Sequence, residues 1–289
     1  MEEPVTTQLP NNVPPIEDWN RLLEGKIAVV TGGGAGIGAA ICELFARHGA
    51  VLEVAEIDAD RAKSIDDIVR GVGGSITSQV VDVTDDDQVE NFASDVLKRH
   101  GHVDVLVNNV GDFRPNVPFR ESSPASWKTM YDLNLGHIFG VTRAFINSMT
   151  DAGKGSIINF HSVEGMRGYA GEPVYGAMKA AAAHFTTCLA VHVGRFGVRV
   201  NGIGPDLTQT PQVNYLKGWE ESDHLWPSWS PVGRLGWPED QARVALFLAS
   251  DMSSFVTGHN IPVDGGTKAG GGWFWSPTEN RFVNRPRTL

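Results

Sequence analysis

Between Ser156 and Lys179 the chain reads SIINFHSVEGMRGYAGEPVYGAMK, an apolar strand ending at Phe160 or His161, a loop, and a helix carrying Tyr175 and Lys179. A four-residue step turns a helix by roughly 400°, so the two side chains share one face about 6 Å apart along the axis. An ammonium beside a phenol stabilises the phenolate and lowers the tyrosine pKa from its reference of about 10. Such a phenol exchanges a proton near neutral pH, which alcohol oxidation and ketone reduction both require. Ser162, at the strand exit, is placed to hold the reacting oxygen by a hydrogen bond. Taken alone, a Tyr-xxx-Lys pair is also what any helix presents by chance, so the rest of the chain has to support the chemistry.

A second cluster precedes it. Thr31–Gly38 reads TGGGAGIG directly between a strand and a helix. Glycines at 32, 36 and 38 let the backbone turn tightly and let a pyrophosphate approach the helix N-terminus, where free N–H groups favour anions. Any tight strand-to-helix turn uses glycine, so the context carries the reading. Glu56 ends the second strand, 18 residues after Gly38. A carboxylate there accepts both ribose hydroxyls of an adenosine and repels a 2′-phosphate, which points to NAD rather than NADP. Arg61 and Lys63 are expected to open the next helix and face solvent. Asp82 and Val83, after the third strand, are placed to flank an adenine; the plain alternative for Asp82 is a helix N-cap.

The elements that must position these residues alternate. Apolar runs at Ile27–Val30, Val51–Ala55, Ile76–Val81, Val103–Val107, Ile157–Phe160, Val198–Ile203 and Asn260–Val263 are separated by helical stretches. Those stretches are Gly38–His48, Ala59–Val69, Asp86–Arg99, Ser123–Met149, Tyr175–Gly194 and Pro238–Ala249. Short apolar strands without a polar face predict a parallel sheet covered by helices on both sides, in one doubly wound α/β domain of Rossmann type. Residues 1–24 read as an extended arm, 25–267 as the dinucleotide-binding and catalytic domain, and 268–289 as a tail whose aromatic rings bury against the body or a neighbouring subunit. Within the domain the alternation lapses over 207–232, which holds Trp219, Trp226 and Trp229. This aromatic insertion follows the carboxyl end of a strand, where such sheets bind ligands, and is expected to cover the substrate.

Composition limits the rest. The chain has 289 residues, 41% of them hydrophobic, with a formal net charge of −10. The acidic balance argues against a nucleic-acid or anionic-membrane surface. There is no 18-residue apolar run, and MEEPVTTQLPNNVPPIEDWN lacks the basic-then-apolar pattern of a signal peptide. Cys42 and Cys188 both lie in helical patterns, so a disulfide framework is not expected and a cytoplasmic location is. The nine histidines are scattered and no metal-ligand spacing is present.

Together the motifs resemble the short-chain dehydrogenase/reductases from about Lys26 to Thr267. The matching pieces are TGGGAGIG, Asp82-Val83, NNVG at 108–111, Asn134, Ser162, YGAMK at 175–179, NGIGPDLTQT at 201–210 and PVDGG at 262–266. The resemblance implies a seven-stranded parallel sheet, a nicotinamide cofactor and a catalytic tetrad of Asn134, Ser162, Tyr175 and Lys179. In that scheme Tyr175 is the general acid/base and Ser162 positions the reacting oxygen. Lys179 binds the nicotinamide ribose and tunes Tyr175, and Asn134 holds a water that relays protons. The cofactor contacts it implies are Gly32, Gly36, Ile37, Gly38, Glu56, Asp82, Val83, Asn109, Gly111, Tyr175, Lys179, Pro205, Leu207 and Thr210. It also implies a homotetramer.

Three residues depart from the family pattern. Val110 replaces a usual alanine. His161 replaces a small residue before the serine and reads as a structural histidine. Asp206 replaces a glycine, a backbone site where aspartate tolerates a left-handed conformation. Its carboxylate is expected near the nicotinamide, favouring the cationic oxidised form; a solvated loop charge is the alternative. Phe113, Val163, Glu164, Tyr169, Trp219 and Trp226 are the expected substrate wall, largely apolar and aromatic. That wall suits a bulky hydrophobic secondary alcohol or ketone, whether steroid, terpenoid, cyclic or aryl. A 3-oxoacyl (carrier-protein or CoA) reductase is the alternative within the family. It is weakened by Glu56, because such reductases usually take NADPH, and by the acidic balance, because an acidic carrier needs a basic docking patch. From another class, a catalytically inactive NAD-binding structural or sensor protein keeps the fold without the chemistry, which an intact tetrad argues against.

Overall fold

The computed structural model describes residues 13–217, 229–271, 274–276, 279 and 281–284. Trp219, Trp226 and Trp273, with the first twelve residues of the arm, lie outside the described residues.

Seven strands form a parallel sheet: β1 (Ile27–Thr31), β2 (Val51–Glu56), β3 (Ser75–Val80), β4 (Val105–Asn108), β5 (Gly155–Phe160), β6 (Val198–Pro205) and β7 (Asn260–Val263). Their order is β3-β2-β1-β4-β5-β6-β7, with every pairing parallel. The chain is a Rossmann-type α/β fold, as the apolar alternation predicts.

Successive β1 residues serve opposite layers. Ala28 and Val30 join Ile41, Phe45, Leu52 and Leu248 on one face, beneath α1 (Gly36–Arg47), α2 (Ala59–Gly71) and α7 (Pro238–Ala249). Ile27 and Val29 join Phe92, Val96, Phe145, Met149 and Val193 on the other. That face lies beneath α3 (Asp86–His100), α5 (His137–Ala152) and α6 (Pro173–Val193). A strand buried on both sides has no polar face to show, which is why the runs read as continuous.

The order reverses between β1 and β4, so the loops leaving those two strands diverge and open a crevice at the carboxyl edge. The glycine turn leaves β1 there and Asn109–Gly111 leaves β4. In the tail, β8 (Phe274–Ser276) and β9 (Arg281–Val283) pair antiparallel as a separate ribbon.

One expected helix is two. The stretch 123–149 comprises α4 (Pro124–Tyr131), a π turn over Asp132–Gly136, and α5. A π turn takes in one residue more than an α turn, and such turns cluster at functional positions. Here it carries Asn134, which is fully buried.

Candidate active site

The glycine turn is shaped by what a side chain would meet. Gly32 (φ 63) and Gly36 (φ 53) hold left-handed backbone. A Cβ on Gly38 would stand 2.1 Å from the Gly32 carbonyl oxygen. Asn109 braces the turn from β4, its Nδ2 donating to the carbonyls of Thr31 (3.2 Å) and Gly32 (3.1 Å). Ala35, the residue capping α1, offers no side-chain acceptor, and the first turn holds no acid. The leading N–H groups of α1 therefore point to an anion site that the chain itself does not fill. Ile37 packs against the core behind this turn. Thr210 lies over it, its Cβ 3.4 Å from where a Gly36 Cβ would be. This cradle, which side chains would close, fits a dinucleotide pyrophosphate.

Glu56 is buried at the end of β2. One carboxylate oxygen accepts from the Gly34 N–H (2.9 Å), and the other from Arg61 at 2.9 Å and the Asp58 N–H at 3.2 Å. Arg61 is thus not the purely solvent-facing residue expected; the opening of α2 swings its guanidinium onto the strand-end acid. Asp82 does not cap a helix. It folds onto the N–H and hydroxyl of Thr84, and Asp85 caps α3 instead. Val83 is buried beside it.

The chemistry-bearing side chains converge at the carboxyl ends of β4, β5 and β6. Glu172 caps α6 with its side chain on the Tyr175 N–H, and Pro173 occupies the first turn, where its missing N–H costs nothing. These two residues, a cap followed by proline, set where the helix starts and so where Tyr175 faces. The Tyr175 phenol lies near enough to Ser162 for that side chain to favour its ionisation. Its ring meets those of Tyr169 (5.8 Å between centroids) and Phe113 (6.4 Å) edge to face. Lys179 is 3% exposed, with Nζ 5.7 Å from the Tyr175 ring centroid and donating to the Phe160 carbonyl at 3.3 Å. Gly111 permits this: a Cβ there would stand 2.5 Å from Nζ and 3.1 Å from Asn134 Oδ1. Asn134 grips Asp112, accepting from its N–H (3.2 Å) and donating to its carbonyl (2.7 Å), while also donating to the Met130 carbonyl. Its two amide hydrogens are therefore committed, and one Oδ1 lone pair remains, on the Gly111 side where Lys179 also lies.

The expected lowering of the Tyr175 phenol does not hold. Burial pushes its pKa above the ordinary tyrosine range, the nearby Ser162 side chain pulls it partly back, and Tyr169, Glu164 and Tyr215 raise it further. Burial also weakens the ammonium, bringing Lys179 down to about 8, with Asp112 opposing. Two desolvated groups each resist charging, and Lys179 aims at a carbonyl rather than at the phenol.

Asp206 is the second correction. Its carboxylate accepts from Arg167 (3.0 Å), from the Thr267 hydroxyl (2.6 Å) and from the Leu207 N–H (2.8 Å). Arg167 also holds Glu164 through 2.9 and 3.2 Å contacts. All three charged side chains are nearly buried. Asp206 is thus neutralised by a guanidinium rather than offered to a nicotinamide. The left-handed residue is its neighbour Leu207 (φ 42), whose side chain packs on Trp229 and Leu235.

The predicted substrate wall divides. Phe113 and Tyr169 flank Tyr175. Val163 is fully buried, so it backs the site without facing a ligand, because the short turn after Ser162 points its side chain inward. Glu164 and Tyr169, with Arg167, Pro173 and Ala177, line a cavity of about 280 Å³ that does not include Tyr175. Pro205 receives the weak 3.5 Å hydrogen bond from Ser162 Oγ. The insertion reaches the cofactor side, where the Gln212 amide donates to the Gly111 carbonyl at 3.0 Å. Sequence reasoning missed this contact, the Arg167 bridge and the Glu172 cap; only the cap had a local signal, acid before proline at a helix start.

Two buried histidines surround Lys179. Burial pushes His137 down to about 3 and His161 down to about 4, and Lys179 lowers both further, against nearby backbone carbonyls. The unfolded chain titrates these groups near the reference of about 6.5. As pH falls from there toward 4 it binds up to two protons that the folded chain refuses, so stability falls with acidification. The slope they contribute is at most about 2.7 kcal/mol per pH unit. Urea midpoints measured between pH 7 and 5 should drop, and His137→Leu should reduce that slope by about half. An unchanged slope in the variant would contradict the assignment.

Among the described residues no group of three His, Cys, Asp or Glu is arranged to hold a metal ion, and no helix is long and apolar enough to cross a membrane. Residues 32–268 match the family model described as enoyl-(acyl carrier protein) reductase. The chain is 39% identical over 251 residues to 3-oxoacyl-[acyl-carrier-protein] reductase FabG of Chlamydia muridarum, a match covering 86% of this chain and 99% of that one. It is 36% identical over 249 residues to galactitol 2-dehydrogenase of Rhizobium johnstonii, covering 84% and 95%. Among solved structures it is similar to 7α-hydroxysteroid dehydrogenase complexed with NADH and 7-oxo-glycochenodeoxycholic acid. That match has a TM-score of 0.80 and 34% identity, covering 86% of this chain and 96% of the other. The chain belongs to the short-chain dehydrogenase/reductases. It is accordingly an oxidoreductase, of a family that binds a nicotinamide cofactor.

Proposed function

We propose that this protein interconverts a bulky hydrophobic secondary alcohol and its ketone with NAD as cofactor. The observation that carries the reading is the buried Tyr175 phenol beside Ser162, with aromatic rings on two sides and a buried lysine one helical turn away. Gly32, Gly36 and Gly38 would hold the cofactor's pyrophosphate, Glu56 its adenosine ribose, Asp82 and Val83 its adenine, and Asn109, Gly111, Pro205, Leu207 and Thr210 would line its length. When bound, its oxidised nicotinamide would supply the hydride acceptor.

The chain's own residues handle the proton. Ser162 Oγ hydrogen-bonds the substrate oxygen and Tyr175 Oη removes the hydroxyl proton as the carbinol C–H bond breaks. Lys179 would position the nicotinamide ribose, and its charge stabilises the Tyr175 phenolate that must be present before the proton is taken. Asn134 keeps Asp112 in place and offers its remaining lone pair toward Lys179, which suits the water-relay role. Phe113 and Tyr169 exclude water and favour an apolar ring or chain. The aromatic insertion fits a cover over the cleft, a homotetramer follows the family resemblance, and a cytoplasmic location follows the cysteine usage.

The identity to a 3-oxoacyl-[acyl-carrier-protein] reductase favours a second reading, reduction of a 3-oxoacyl thioester. Two arginines near the cleft argue against an acidic carrier. Arg114 is paired with Asp112 at 2.7 Å, and Arg167 is held between Glu164 and Asp206. A panel of steroid, cyclic and aryl secondary alcohols, run with NAD⁺ and NADP⁺ beside acetoacetyl-CoA with NADPH, separates the two. Turnover of an alcohol with NAD⁺ at least about tenfold better than with NADP⁺ is expected, a margin of about 1.4 kcal/mol. Glu56→Ser, which releases Arg61, should shift that ratio toward NADP⁺ by a similar factor. Efficient acetoacetyl-CoA reduction with no alcohol turnover would establish the second reading instead.

A further inference from the structure

We infer that His161 is a positioning residue for Ser162: a slot left open by Gly202 and Gly204 holds its imidazole as the Nδ1–H tautomer, and that N–H fixes the Ser162 carbonyl. The inference rests on the roles proposed above for Ser162 and Tyr175.

His161 continues β5 by one residue, its N–H donating to the Ile203 carbonyl at 2.9 Å. Phe160 pairs with Ile203, so the next residue along β5 comes level with Gly204. The imidazole lies flat over β6 because both residues beside Ile203 lack a side chain. A Cβ on Gly204 would stand 2.7 Å from the imidazole Cε1 and 3.1 Å from Nδ1. One on Gly202 would stand 2.8 Å from Cδ2 and 2.9 Å from Nε2. Neither glycine needs left-handed backbone, since neither has positive φ. Their smallness serves the ring.

The ring is 3% exposed and makes one hydrogen bond, Nδ1 to the Ser162 carbonyl at 3.1 Å. A carbonyl only accepts, so Nδ1 carries the hydrogen. Nε2 has no partner, and neither does Asn260 Oδ1, which lies on the same side of Gly202 as the ring but makes no hydrogen bond to it. The other tautomer would set an unprotonated Nδ1 against the Ser162 carbonyl, two acceptors facing each other. Burial keeps the ring neutral, with a pKa near 4.

The consequence falls on Ser162. Lys179 holds the Phe160 carbonyl, His161 holds the Ser162 carbonyl, and Ser162 Oγ accepts from the Glu164 N–H at 3.1 Å. The backbone that aims Oγ at Tyr175 is therefore gripped on both sides of His161. A displacement of about 1 Å at a reacting group can cost about 100-fold in rate.

Three measurements test this. In ¹⁵N-histidine NMR of the whole protein at pH 7, His161 should show the Nδ1–H tautomer; a dominant Nε2–H form overturns the inference. His161→Leu, which keeps bulk but removes the donor, should lower kcat about 100-fold with KM for NAD⁺ unchanged. His161→Asn, whose amide can reach the same carbonyl, should recover at least tenfold of that loss. A Leu variant within threefold of the parent, or an Asn variant no better than Leu, overturns it. Gly204→Ala should lower the melting temperature, and His161→Ser should abolish that penalty by emptying the slot; equal penalties in both backgrounds count against the slot. If the parent turns over no alcohol or ketone, the proposed reaction falls, while the NMR and melting results still decide whether His161 holds Ser162.

Discussion

Tyr175→Phe should leave a folded, dinucleotide-binding protein whose kcat is reduced about 10³-fold, within the span for loss of a positioned acid/base. The phenyl ring keeps the edge-to-face contacts with Tyr169 and Phe113, and the Glu172 cap acts on the backbone of residue 175, so neither depends on the hydroxyl. What disappears is the proton acceptor and whatever single hydrogen bond the hydroxyl makes beside Ser162. Stability should therefore change by no more than about 1 kcal/mol, the value of one ordinary hydrogen bond. Steady-state rates with the best alcohol of the panel, alongside NADH fluorescence titration and a melting curve, give the three numbers. A variant retaining a tenth or more of the parental kcat would mean that another group moves the proton. The raised phenol pKa sharpens the expectation. Tyr175 is protonated over the whole working range in the isolated protein, so charge brought in by the oxidised cofactor and Lys179 must favour its ionisation. Alcohol oxidation should accordingly accelerate toward alkaline pH.

Arg167→Met should cost about 3–5 kcal/mol of folding stability, the range for removing one partner from a buried ion pair. Glu164 loses both of its contacts to the guanidinium, and Asp206 keeps only the Thr267 hydroxyl and the Leu207 N–H among the hydrogen bonds described above. Two carboxylates then remain nearly buried beside each other without their shared cation. For a chain of this size the melting temperature should fall by about 10 °C. Arg167→Lys should recover only part of the loss, because an ammonium cannot reproduce a planar fork contacting two acids. The loops after β5 and β6 and the segment after β7 are all tied by this one side chain. The variant should therefore also raise KM for the alcohol more than it lowers kcat. A melting temperature within 2 °C of the parent would show that the pair is dispensable, as desolvated ion pairs sometimes are.

The fold was legible because strands buried on both faces leave continuous apolar runs and because the glycine turn falls between the first strand and the first helix of that alternation. The spacing of Tyr175 and Lys179 likewise announces a shared helical face. What could not be read depends on residues far apart in sequence. Asp206 looked like a charge free to act on a cofactor, and the residue that neutralises it lies 39 positions earlier in another loop. The phenol was expected to be acidic from its neighbour alone, whereas the surrounding rings and the burial they impose dominate. Arg61 is a local case of the same kind: three residues of helix are enough to carry its guanidinium onto Glu56. The π turn at Asn134 has no composition signature, because its wide turn is stabilised by the tertiary grip on Asp112 rather than by propensity. Trp219 and Trp226 fall outside the described residues, so their part in the substrate wall stays a proposal.

The extra residue in that wide turn has a further meaning for how such a protein can lose its activity. A one-residue excess absorbed locally leaves the helix on either side in its old phase, so Met130 before it and Val141, Phe145 and Met149 after it stay in the interior whether or not the bulge exists. Excising a single residue there would tidy the helix and withdraw the Asn134 amide together, with the interior seam intact. The scaffold and its chemistry are therefore separable by the loss of a single codon, and a silent, well-folded relative could arise in one event.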